Sequence, residues 1–215
     1  MNARSMQHSA STGATDSTYN EVPFEFSAPV AGLSAATMST HLDLYRGYLA
    51  QANELVDAVR DAAGSHEKQP PAHNREMLAR RLAFETNGVL LHECFFEQLA
   101  AKARDAAAKR GSALAEAFDA AFGGYDAWKN DIKQLGETRG IGWIATFWDP
   151  SAEYLTNTRI DLHHLSVPVG QRIVFVIDLW EHAYWSDYGA KGRGKYVEAV
   201  TGALDWSVLE RRLKS

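Results

Sequence analysis

The stretch from Ile173 to Trp185 constrains this chain more than any other. Ile173-Val174-Phe175-Val176-Ile177 is an unbroken run of β-branched and aromatic residues, which reads as a buried strand. Asp178 and His182 follow it, a carboxylate and an imidazole four residues apart at the mouth of a core. Burying either group without a partner is costly. A metal ion partners both, and the fold must then carry further ligands to the end of this strand.

Composition narrows the setting. With 215 residues, 46% of them hydrophobic, the chain can build one good core or two small ones in close contact. A net charge of −5 gives no basic footprint for nucleic acid, and none is expected as a partner. No apolar run approaches the roughly 18 to 20 residues of a membrane span, so no membrane partner is expected either. The single cysteine, Cys94, cannot form an internal disulfide, and a cytoplasmic location is expected. Residues 1–21 read as a disordered leader, polar and without the apolar segment of a secretory signal.

An extended arm, Val22 to Ala31, leads to a helix from Ala35 to about Ala63, N-capped by Ser34 and ending at Gly64. Met38, His41, Leu44, Tyr45, Tyr48, Ala52, Leu55 and Val59 recur along it at helical spacing. After a connection from Ser65 to His73, a second helix is expected from Arg75 to about Lys109, buried around Gly88 to Phe96. Shorter helices follow at Ser112 to Phe122 and Tyr125 to Glu137. Strands are expected at Ile141 to Trp148, Glu153 to Asp161 and Ile173 to Ile177, and a last amphipathic helix at Tyr196 to Leu213. This order of elements predicts an α+β fold. A long α-helical hairpin domain (22–109) precedes an α/β domain (110–215) with a three-stranded antiparallel sheet and flanking helices.

His41, His92, Asp178 and His182 are the candidate metal ligands. His41 lies on the inner face of the first helix and His92 in the most apolar part of the second. Three neutral imidazoles and a carboxylate suit iron, manganese or zinc rather than calcium or magnesium. Of these, iron and manganese can change oxidation state. Taken singly, a histidine on an apolar helical face is more often a hydrogen-bonded core residue than a ligand, and an Asp and a His four apart are common by chance.

The motifs together say more. DLWEHAYWSDY, from Asp178 to Tyr188, resembles the signature D-x-W-E-H-A-Y-Y of the iron/manganese superoxide dismutases. SAATMSTH ending at His41, His92 followed by Phe95-Phe96, Gly140-Ile141-Gly142-Trp143, and Asp205-Trp206 resemble further family motifs in the right order. The resemblance spans Pro23 to Arg212. It implies that His41, His92, Asp178 and His182 hold iron, or manganese as the alternative, and that superoxide is the substrate. It also implies a homodimer or dimer of dimers, in which Glu181 reaches the ligand histidine of the other subunit. Trp143 and Trp180 are implied to wall the site. His163, five residues before Pro168, matches a subgroup whose histidine hydrogen-bonds the solvent on the metal, with Gly88 leaving room for it.

Two departures stand out. The family's gate tyrosine follows the first ligand by eight residues, where this chain has Leu49. Tyr48, at i+7, lies about 20° from His41 around the helix, against about 80° for Leu49, and is the expected gate. Trp185 replaces the last tyrosine of the signature, and Tyr45 replaces the histidine that tyrosine meets across the dimer, so the interface is expected to be rebuilt. Arg172, Lys191 and Arg193 are candidate guides for an anionic substrate. A metal-dependent oxidase or oxygenase on the same scaffold, and a non-catalytic structural homologue, are the alternatives. The complete ligand set opposes the second.

Overall fold

The computed structural model describes residues 18–64, 72–99 and 111–215. Helices α1 (Ala35–Gly64) and α2 (Ala72–Glu97) form the expected hairpin. Ser34 begins α1 as expected, its Oγ accepting from the Thr37 N–H at 3.2 Å. Helices α3 (Ala113–Phe122) and α4 (Tyr125–Glu137) follow. Ser112 caps the first of these through the Ala115 N–H at 3.2 Å, and Gly123 ends it in the left-handed region. The expected leader at 1–21 lies mostly outside the described residues.

Strands β1 (Trp143–Asp149), β2 (Tyr154–Ile160) and β3 (Arg172–Asp178) make one antiparallel sheet in the order β2-β1-β3. The register sets Trp143 opposite both Ile160 and Asp178, so a wall residue and a candidate ligand are cross-strand neighbours. Gly142, just before β1, has φ +117°, and a Cβ there would stand 2.1 Å from the Ile160 carbonyl oxygen. Only glycine fits that start to the strand. The outer edge of β3 is covered rather than left open. The Gln98 side chain bonds both the Val176 C=O and the Val176 N–H, and Arg212 donates to the Val174 C=O at 3.3 Å.

The chain then forms a 3-10 turn at Glu181–Ala183, a short α5 (Trp185–Tyr188), α6 (Arg193–Thr201) and α7 (Trp206–Lys214). Two expectations are corrected here. The last helix is two, because α6 stops at Gly202 and Asp205 caps a new helix through the Ser207 N–H at 3.0 Å. The second long helix ends at Glu97, not near Lys109. Beyond it, Gln98 is diverted to β3 and Leu99 bridges Leu204, while residues 100–110 lie outside those described. The core runs between the sheet and helices α2, α4 and α7. Trp128 and Phe175 meet edge to face there at 5.0 Å.

Candidate metal centre

Four side chains from four elements converge where the hairpin meets the sheet. His41 comes from α1, His92 from α2, Asp178 from the last position of β3, and His182 from the 3-10 turn. One ligand atom from each lies within 4.8 Å of all the others. The first three residues are wholly buried, and the His182 side chain is 19% exposed. The Asp178 carboxylate is held at both ends. Its Oδ1 accepts the Trp180 N–H at 2.8 Å, which leaves Oδ2 to face the imidazoles. Nε2 of His41, His182 and His92 stand 3.0, 3.1 and 3.7 Å from that oxygen.

This donor set fits a metal. His92 Nδ1 faces the Gly88 carbonyl at 2.6 Å and so carries the proton, which leaves a lone pair on Nε2. That nitrogen is buried without a hydrogen-bond partner. Ligands bonded at about 2.1 Å stand about 3.0 Å apart when at right angles and about 3.6 Å apart at 120°, close to the three distances observed. Charge states agree for three of the four; at His182 burial lowers the pKa but Asp178 outweighs it and raises it, so a metal would take the place of a proton there. Burial depresses the pKa of His41, and that of His92 further, holding both rings neutral. Burial pushes Asp178 up, but His182 and His41 outweigh it and hold the carboxyl far below its ordinary range. Neutral imidazoles and an ionised carboxylate are the forms a metal needs.

Trp143, His163 and Tyr48 stand beside this cluster. The Trp143 indole N–H donates to His163 Nδ1 at 2.9 Å, and His163 Nε2 lies 3.0 Å from the Tyr48 hydroxyl. An indole can only donate, so Nδ1 is the acceptor and the neutral ring carries its proton on Nε2. Burial lowers the His163 pKa to about 4, which keeps the ring neutral. Both nitrogens are thus engaged within the chain, and the ring stacks on Trp180 at 5.3 Å. The room at Gly88 goes to Tyr48 and not to His163. A Cβ on Gly88 would meet Tyr48 Cδ1 at 2.9 Å. Burial, with Asp178 adding to it, pushes the Tyr48 pKa up to about 12. Tyr45 turns away from the site, accepting from the Val22 N–H at 2.9 Å and donating to Glu93 at 3.0 Å.

Glu181 is exposed beside His182, and Trp185 is 50% exposed on α5. Arg172 donates to the Leu213 carbonyl at 3.1 Å, whereas Lys191 and Arg193 line a separate depression. Sequence reading missed Phe84, which packs on His163 at 4.5 Å and on Tyr48 at 6.1 Å. It also missed Glu85, a buried carboxylate paired with Arg81 at 2.5 Å. Glu85 precedes His92 by seven residues, two helical turns on one face, and that spacing was the available signal.

Residues 109–212 match the family described as iron/manganese superoxide dismutases, C-terminal domain. The chain is 27% identical to a superoxide dismutase [Fe] of Pyrobaculum aerophilum, over 90% of each chain. It is 26% identical to superoxide dismutase [Mn] 1 of Haloferax volcanii, over 89% of this chain and 92% of that protein. With a superoxide dismutase [Mn/Fe] of Aeropyrum pernix it shares 25% identity, over 90% of this chain and 88% of that protein.

Proposed function

Because the chain belongs to the iron/manganese superoxide dismutase family, we propose that it is itself a superoxide dismutase, with His41, His92, Asp178 and His182 as its metal ligands. The observation that carries this is the convergence of three imidazole nitrogens on one Asp178 oxygen. The reaction turns two superoxide ions and two protons into oxygen and hydrogen peroxide. When bound, iron or manganese supplies a centre that accepts one electron and returns it. Iron is proposed first and manganese as the alternative, since the chain is similar to dismutases named for each.

The chain's own residues manage protons and water. His163 donates through Nε2 to the Tyr48 oxygen, so the Tyr48 O–H proton remains free to point into the site. Tyr48 is the proposed proton donor to the departing peroxide, and His163 and Trp143 orient it. A Tyr48 pKa near 12 keeps that proton in place at neutral pH. Trp143 and Trp180 exclude water and keep the local dielectric low. The alternative, a metal-dependent oxidase, rests on an altered gate; the Tyr48 hydroxyl 3.0 Å from His163 Nε2 supports Tyr48 as the gate residue of a dismutase instead.

A second copy of the chain is the proposed partner. Support comes from an exposed Glu181 and a half-exposed Trp185 flanking the turn that carries His182. Among the described residues no helix is long and apolar enough to cross a membrane. A cytoplasmic, antioxidant role is proposed from the lone cysteine and the reaction itself. The test is metal analysis of protein purified without added metal, then superoxide decay with iron-loaded and manganese-loaded forms. Stoichiometric iron or manganese and rapid decay are expected. Protein that binds neither metal, or binds one without accelerating decay, overturns the proposal.

A further inference from the structure

A depression of about 660 Å³ opens beside the end of α4 and the start of α6, and it shares no lining residue with the metal cluster. Five cations line it: Lys133 and Arg139 from one stretch of chain, Lys191, Arg193 and Lys195 from another. Among the described residues two carboxylates, Glu137 and Glu198, face them. The excess of positive charge is local, because the chain as a whole carries −5.

The cations are not equivalent. Lys133 is neutralised by Glu198, its Nζ 2.5 Å from Oε1. Arg193 is held in place: its Nε donates to the Tyr184 hydroxyl at 3.2 Å and Nη1 to the Thr138 carbonyl at 2.9 Å. Its guanidinium also lies over the Tyr184 ring at 5.4 Å. Of its five donors, the second on Nη1 and both on Nη2 remain for a ligand. Arg139, Lys191 and Lys195 are exposed and make no ion pair among the described residues.

We propose that this depression binds a small molecule carrying two phosphate groups. Its volume suits a metabolite-sized ligand and far exceeds a diatomic anion such as superoxide. A singly charged ion at a surface cation is worth little and is screened by salt. Cations from two stretches of chain can instead engage one doubly charged ligand, and the fixed Arg193 supplies directional donors to it. The lining offers no apolar slot for a large ring, since the Tyr184 face is already covered by Arg193.

The test is calorimetric titration of the metal-loaded full chain with fructose 1,6-bisphosphate, at physiological ionic strength and with metal content checked afterwards. Saturable 1:1 binding is expected. Inorganic phosphate should bind about tenfold more weakly, and fructose not at all. Arg139→Ala and Lys195→Ala, both exposed, should each weaken binding about tenfold. Arg80→Ala, an exposed cation on α2, should change nothing. Absence of saturable binding overturns the proposal, as does equal affinity in the Arg139→Ala and Lys195→Ala variants.

Discussion

The Tyr48 ring lies so close over Gly88 that a Cβ there would stand 2.9 Å from Cδ1 and 3.0 Å from Cγ. The contact joins α1 to α2 one turn before His92, whose Nδ1–H donates to the Gly88 carbonyl. Alanine in a helix interior ordinarily gains about 1 kcal/mol over glycine. Here Gly88→Ala is expected to lose about 1–3 kcal/mol, because the ring base cannot swing clear, and to lower superoxide turnover by displacing the hydroxyl from His163. In a Tyr48→Ala background the same change should become stabilising. Denaturant unfolding of the four proteins checks the sign reversal.

Acid should weaken the protein partly through His163. The unfolded histidine takes a proton near 6.5, the folded one only near 4, so the unfolded state binds more protons between these values. Stability is therefore full above about pH 6.5 and falls as pH drops toward 4, by up to about 3 kcal/mol from this residue. Metal-free His163→Gln should show a flatter acid limb than the parent in urea unfolding. An identical limb would assign the loss to other groups.

Metal should raise thermal stability in a concentration-dependent way. An ion that binds only the folded chain contributes about 4 kcal/mol at a thousand times its Kd. Added manganese is expected to raise the Tm, a chelator to reverse the rise, and His92→Ala to abolish it. A Tm indifferent to metal in the parent chain would contradict the assigned ligands.

The Gln98 amide is the only cover described for the polar groups of Val176 on the edge of β3. Gln98→Ala leaves both unpaired in a buried setting and should cost about 2–3 kcal/mol. Because β3 ends at Asp178, the variant should also bind metal more weakly. Unfolding curves and metal titration read the two effects separately.

What could be foreseen follows from where the causes lie. Helix α4 has the expected bounds, since Gly123-Gly124 and the burial of Trp128 and Ile132 are local signals. Helical angle alone separates Tyr48 from Leu49, whereas the pairing of the Tyr48 hydroxyl with His163 Nε2 depends on a segment 115 positions away. Tyr45 could not be judged that way, because its partners, Val22 and Glu93, lie on other segments. The end of α2 at Glu97 was equally hidden, being set by the Gln98 contacts to β3 and by the bond from the Asp205 N–H to the Gln98 carbonyl. The break between α6 and α7 is legible in the sequence, since Gly202 and Asp205 are ordinary stop and start residues.

His41 and Asp178 touch at 3.0 Å although 137 positions separate them along the chain. An ion shared between them acts as a cross-link that closes most of the polypeptide into a loop. Such a closure removes configurations from the unfolded chain, and the loss grows slowly with loop length. The lone Cys94 cannot provide this kind of tie, so the metal takes the mechanical place of a covalent bridge. Unlike that bridge, it forms without an oxidant and comes apart when a competing chelator is present.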